Sequence, residues 1–255
     1  MPGDTDRPQT TIREPPVVLV PVAVLEGQTI PETVVDFLAP ARVVILGYHV
    51  LPEQTPTEQA GRQFEDRAQQ AVETIAETFR AAGGDPDTRI AFTHDRDQTV
   101  ERVADDIDAT AILLPNPTSE IHDVLVPLRG AVDRDRLADL VATLLIDGDR
   151  SVTLWGIDLG DSDFDADTAI EEARERLGRR GVPAEQVDFE RSSEEAPLRA
   201  IVERSAEFDA IVMGAGEGSL LSVLLGEDEE RVADAAVAPV LVVRHQSQDA
   251  TDDSS

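Results

Sequence analysis

Residues 108–114, DATAILL, return at 207–213 as EFDAIVM, so that Ile112 answers Ile211 and, at the same separation, Val103 answers Val202. A chain that repeats itself over the length of a small domain is built from two copies of one supersecondary plan. The plan shows in the apolar runs. Those at 17–22 (VVLVPV), 43–50 (VVILGYHV) and 111–114 read as strands buried in a parallel sheet, and 88–93 as a further strand. Helical spacing predicts helices over 28–38, 57–82 and 98–107. The second of these carries a stripe of Phe64, Ala68, Ala71, Val72, Ile75, Ala76 and Phe79, and Gly83-Gly84 stops it.

The order then restarts. DVLVPL at 123–128 echoes VVLVPV, and a helix follows over 134–146. SVTLWGIDL at 151–159 echoes the second strand, with Gly156 where Gly47 stood. A helix over 165–180, a strand near 187–190 and a strand over 210–213 complete the copy. Strands alternating with helices through short connections imply parallel sheets covered on both faces. The expected class is α/β: two tandem doubly wound, mostly parallel-sheet, Rossmann-like domains at 15–120 and 121–245. Residues 1–14 read as a flexible tail and 246–255 as an acidic one. The copies are unequal. After Leu114 only PNPTSE precedes the second copy, so the first lacks the last helix and strand.

The most informative unit is 209–244. A strand ends at Met213-Gly214, and Gly214, Gly216, Gly218 and Ser219 make a tight turn with uncovered amides. Gly226 precedes an acidic helix over 227–236, and Pro239 opens a last apolar strand of Val240, Leu241, Val242 and Val243. The unit resembles the C-terminal end of the universal stress protein (UspA) family, of the tandem type found in salt-adapted archaea. The resemblance implies a strand order of 3-2-1-4-5, with a ligand crevice between strands 1 and 4 of each copy. In nucleotide-binding members of the family an acid follows the strand-1 proline by two residues. Here Ala23 and Arg129 stand at those positions. The family's loop calls for glycines at 217 and 227 and a hydroxyl at 228, where this chain has Glu217, Glu227 and Asp228, with Gly226 one residue early.

The resemblance therefore implies a non-enzymatic stress-response regulator without strong conventional ATP binding, with a membrane transporter as one kind of partner. The rival expectation is an ATP- or AMP-binding protein using Arg129, Gly214, Gly216, Gly218, Ser219 and Gly226. The resemblance also implies a homodimer through Pro239, Val240, Leu241, Val242 and Val243, because an apolar strand at a sheet edge invites pairing.

Composition narrows the classes. Against 52 acids the 255-residue chain sets 22 basic residues, all of them Arg, for a formal charge of −30. Dense carboxylates keep a surface hydrated when molar salt screens their repulsion, which points to a high-salt setting. A nucleic-acid partner is excluded for want of a basic face. With no Cys, no membrane-length apolar run and no leader-like start, a cytoplasmic location is expected and membrane insertion is not. His49, His94, His122 and His245 sit in unrelated elements, so no metal site is expected. Ser219 and Ser222 lack a neighbouring His and acid, so no catalytic residue is assigned. Gly214-x-Gly216-x-Gly218 puts Ser219 where a dinucleotide fingerprint needs its third glycine. Trp155 reads as core.

Overall fold

A computed structural model describes residues 12, 15–130, 132–146, 149–158, 164–194, 196–215 and 237–245, apart from the side chains of 58–60 and 62. The predicted strands form as β1 Val17–Ala23, β2 Arg42–Val50, β3 Asp87–Thr93, β4 Ala111–Leu114, β5 Asp123–Leu128, β6 Ser151–Asp158, β7 Val187–Ser193, β8 Ala210–Gly214 and β9 Val240–Val243. The helices are α1 Glu32–Leu38, α2 Thr57–Ala81, α3 Arg96–Asp106, α4 Arg134–Leu144, α5 Ala166–Arg179 and α6 Pro197–Arg204. Asp95, Asp133 and Asp165 cap α3, α4 and α5 through their carboxylates, taking up amides that a helix start leaves orphaned.

Two helices differ from expectation. The one predicted over 28–38 begins only at Glu32, because Gln28 is occupied elsewhere: its side-chain oxygen accepts the Ala23 amide at 2.8 Å. Val24–Glu26 instead makes one 3-10 turn, ended by Gly27 at φ 76°. Helix α6 was not assigned by periodicity; Pro197 opens it, and Ile201 is its buried residue.

The nine strands form one sheet in the order β3-β2-β1-β4-β9-β8-β5-β6-β7. Within β1–β4 and within β5–β9 every pairing is parallel, and the two sets meet through one antiparallel ladder, Ala111 to Leu114 against Val243 to Val240. Strand order 3-2-1-4 therefore occurs in both halves, running in opposite directions. One face is packed by Val34 and Phe37 of α1, Val72 and Phe79 of α2, Leu140 of α4 and Ile170 of α5. Val100 of α3, Ile201 of α6, Trp155 and Met213 fill the other. Trp155 is 2% exposed and donates from its indole nitrogen to Ser192 Oγ at 2.9 Å, as a buried indole must.

The ladder overturns the expected dimer contact. Residues Val240–Val243 do not lie at an edge: they pair with β4 on one side and β8 on the other, so neither backbone edge is left for a twofold mate. The physical reason is the unequal strand number of the two parallel sets, four in β1–β4 and five in β5–β9. Lacking a fifth strand, the first half leaves the β4 edge open, and the chain's own last strand fills it at the high local concentration that covalent linkage provides. Further bonds tie the halves together. Arg244 donates its amide to Thr110 O and its guanidinium to Asp105 at 2.6 Å, and Arg136 bonds Asp108 at 2.9 Å. From the connector after β4, Asn116 donates to Ala238 O at 3.1 Å and Thr118 to Asp209 O at 3.2 Å.

Candidate functional site

In an open α/β sheet a ligand lies beyond the carboxyl ends of strands where the strand order reverses. Here those points fall between β1 and β4 and between β5 and β8. In both places the ladder is short: Val18–Ala111 and Leu19–Ile112 in the first half, Val124–Ala210 and Leu125–Ile211 in the second. Beyond these pairs the strands part. Because β9 joins β4 antiparallel, the two crevices open at opposite ends of the sheet.

The second crevice brings the end of β5 (buried Pro127 and Leu128, half-buried Arg129) beside Gly214 and Ala215 at the end of β8. Arg129 follows β5 and Gly214 ends β8, the two strands that flank this crevice. Gly216, Gly218, Ser219, Gly226 and the helix expected over 227–236 lie outside the described residues. Sequence reasoning missed Val132. Its side chain lies so close over Gly214 that a Cβ at 214 would overlap Val132 Cγ2 and stand 2.8 Å from Val132 Cβ. Gly214 is thus required by packing, independently of any ligand. The signal available in sequence was weak: one β-branched residue in a short loop after Gly130, which itself turns the chain at φ 59°.

Arg129 carries a positive charge into a half-buried setting, and burial lowers its pKa below the ordinary arginine value. Among the described residues no carboxylate offsets that desolvation. Its neighbours are treated differently. Arg134 pairs with Glu172, and Arg176 reaches the same carboxylate at 3.3 Å. Arg180, whose side chain is 6% exposed, bonds Asp139 at 2.6 Å and Asp135 at 3.1 Å; these bonds outweigh burial and raise its pKa.

The first half differs at the ends of β1 and β4. Ala23 is followed at once by the 3-10 turn, whose Val24 packs with Val72 against the Cβ-less face of Gly47. When Leu114 is aligned with Met213, Pro115 falls where Gly214 stands in the second half, so no glycine turn forms there. The histidines do not converge. His49 meets the ring edges of Phe64 and Phe92, His94 Nδ1 lies 3.2 Å from Leu51 O, and His122 bonds Glu120, which raises its pKa. Among the described residues no group of three or more His, Cys, Asp or Glu is placed to hold a metal.

Comparison with known structures places this architecture. A universal stress protein from Archaeoglobus fulgidus DSM 4304 matches 91% of this chain and 97% of its own, with a TM-score of 0.61 at 16% identity. The fold is that of the universal stress proteins: a mostly parallel α/β sheet of Rossmann-like type. The cytoplasmic domain of a prokaryotic cation chloride cotransporter matches 90% of this chain and 95% of its own at 14% identity, with a TM-score of 0.47. A universal stress protein in complex with cAMP covers 51% of this chain and 100% of its own at 23% identity, with a TM-score of 0.39. No protein-family model matches the sequence, and no curated protein matches it significantly. Among the described residues no helix is long and apolar enough to cross a membrane.

Proposed function

We propose that the chain is a non-enzymatic regulatory protein on the universal-stress fold, suited to high salt, which acts through protein interaction and does not hold ATP strongly. The contact of Val132 with Gly214 carries the reading. A nucleotide's phosphates need bare backbone amides at the end of the fourth strand of the half. Here an apolar side chain lies over the first glycine of that turn. The residue substitutions point the same way. In sequence, Arg129 replaces the acid expected after the strand-1 proline, and Glu217, Glu227 and Asp228 stand at positions where the expected loop has glycines and a hydroxyl. Calorimetry with Mg-ATP and AMP in molar KCl tests this: no saturable binding in the micromolar range is expected, and micromolar affinity overturns the proposal.

One observation favours the rival, a nucleotide-binding protein: the charge of Arg129 is uncompensated among the described residues. On that reading ATP or AMP binds at micromolar concentration, and Arg129→Gln abolishes it.

A further inference from the structure

The nine-stranded sheet ends in two edge strands, β3 and β7. At the end of β3 the Leu51 amide donates to Thr93 O, so the backbone groups of Thr93 face β2. Alternation along the strand turns those of Thr88, Ile90 and Phe92 outward, where no strand of the described residues pairs with them. Natural sheets commonly blunt such an edge with charge. Here both charged side chains of β3 are matched within the chain: Asp87 pairs with Arg42 at 2.9 Å and Arg89 with Asp106 at 3.8 Å. The edge is thus locally neutral in a molecule of formal charge −30. Its outward residues include the apolar ones, for Ile90 and Phe92 are half-buried and pack against the core on the face of α1 and α2.

We infer that the β3 edge is an interface to a second copy of this chain, the two β3 strands pairing antiparallel about a twofold axis at Ile90. This goes beyond the proposed function by naming a partner, and it stands whether or not nucleotide binds. In an antiparallel twofold pair one residue lies opposite its own copy, and residues equally far on either side of it lie opposite one another. Centred on Ile90, the register pairs all of Asp87–Thr93. Ile90 meets its copy, Arg89 the partner's Ala91, Thr88 the partner's Phe92 and Asp87 the partner's Thr93. No like charges stand directly opposite, and the apolar pairs fall on one face. Edge β7 lacks this property. Centred on Phe189 it sets Asp188 against the partner's Glu190, and centred on Glu190 or Arg191 it sets that charge against its own copy. Like charges directly opposite are destabilising, so self-pairing selects β3.

Analytical ultracentrifugation of the full chain in molar KCl, which screens the net charge of each copy, tests the interface. The wild type is expected at twice its chain mass of 27.6 kDa, in reversible equilibrium with monomer. Its Kd should lie at or below about 100 μM, the range of a small, transient contact. Thr88→Pro removes an outward donor that the folded monomer does not use, so the melt should change little while association weakens about tenfold or more. Residue 91 lies opposite the partner's Arg89. Ala91→Arg should therefore weaken the dimer and Ala91→Asp strengthen it, a reversal of sign that a folding defect would not produce. The chain has no Cys, so Ile90→Cys sets one thiol against its own copy and should cross-link on air oxidation, whereas Phe189→Cys on the other edge should not. A wild type that is monomeric at about 100 μM would overturn the interface. So would a dimer indifferent both to Thr88→Pro and to the charge at residue 91, or cross-linking through residue 189 as fast as through residue 90.

Discussion

Three glycines show how a missing Cβ becomes a structural requirement. Gly47 and Gly156 occupy equivalent places on β2 and β6, and each lets a helix approach its strand. A Cβ at 47 would overlap Val72 of α2, and one at 156 would stand 2.8 Å from Ile170 Cδ1 and 3.0 Å from Ala166 Cβ of α5. At Gly214 the three atoms nearest an added Cβ all belong to Val132, which makes it the cleanest to test. Gly214→Ala is expected to destabilise the protein by about 1–3 kcal/mol through overpacking. Shortening the obstructing side chain, Val132→Ala, should recover most of that loss. A double-mutant cycle of thermal melts gives the coupling directly, and additive effects would show that the two residues do not compete for one space.

Helices α4 and α5 are joined by more than apolar contact. Arg180, just past the end of α5, reaches back to Asp139 and Asp135 of α4, and it also donates to Arg176 O at 3.2 Å and Asp135 O at 3.2 Å. A guanidinium this well shielded depends on its carboxylates, since removing one partner leaves a charge in a poorly solvated place. Asp139→Ala is therefore expected to cost about 3–5 kcal/mol. Because the pair is buried, molar KCl should not rescue the variant, unlike loss of an exposed pair such as Arg199–Glu203. Chemical denaturation at two salt concentrations checks both statements. A loss below about 1 kcal/mol would place the pair among surface bridges.

The whole molecule turns on β9, the last strand in sequence and the middle strand in space. Ile112 and Met213 both lie against Val242, so this residue belongs to both half-sheets. Proline there removes a ladder donor in mid-sheet, which is expected to cost about 3 kcal/mol or more. Val242→Pro should consequently lower the melting temperature of the whole chain, rather than convert a dimer into a folded monomer. Circular dichroism with light scattering distinguishes these outcomes; an unchanged melt with a halved mass would restore an intermolecular role. Salt acts at the same scale. With a formal charge of −30, the protein should lose structure on dialysis from molar KCl to dilute buffer, as unscreened carboxylates repel. A melting temperature independent of salt would contradict this.

Local sequence determined the parts. Apolar runs located β4, β5 and β9 to the residue, because strands buried on both faces leave no polar position to blur their limits. The helices α2, α4 and α5 were legible from their apolar stripes, while the eight-residue α6 is too short for periodicity to declare itself. At the site, the sequence showed that Arg129 replaces an acid and that Gly214 ends a strand. Tertiary structure decided the rest. Nothing local to Pro239 or Val243 states whether the strand finds a partner in another molecule or in residues 111–114 of its own chain. That choice depends on a vacancy left in the other half. Nor does anything local to Val132 announce that it lies over Gly214, because their meeting is set by β5 and β8 lying side by side. Pairing across long sequence separations is a property of the assembled sheet, and the crevice takes its shape from that pairing.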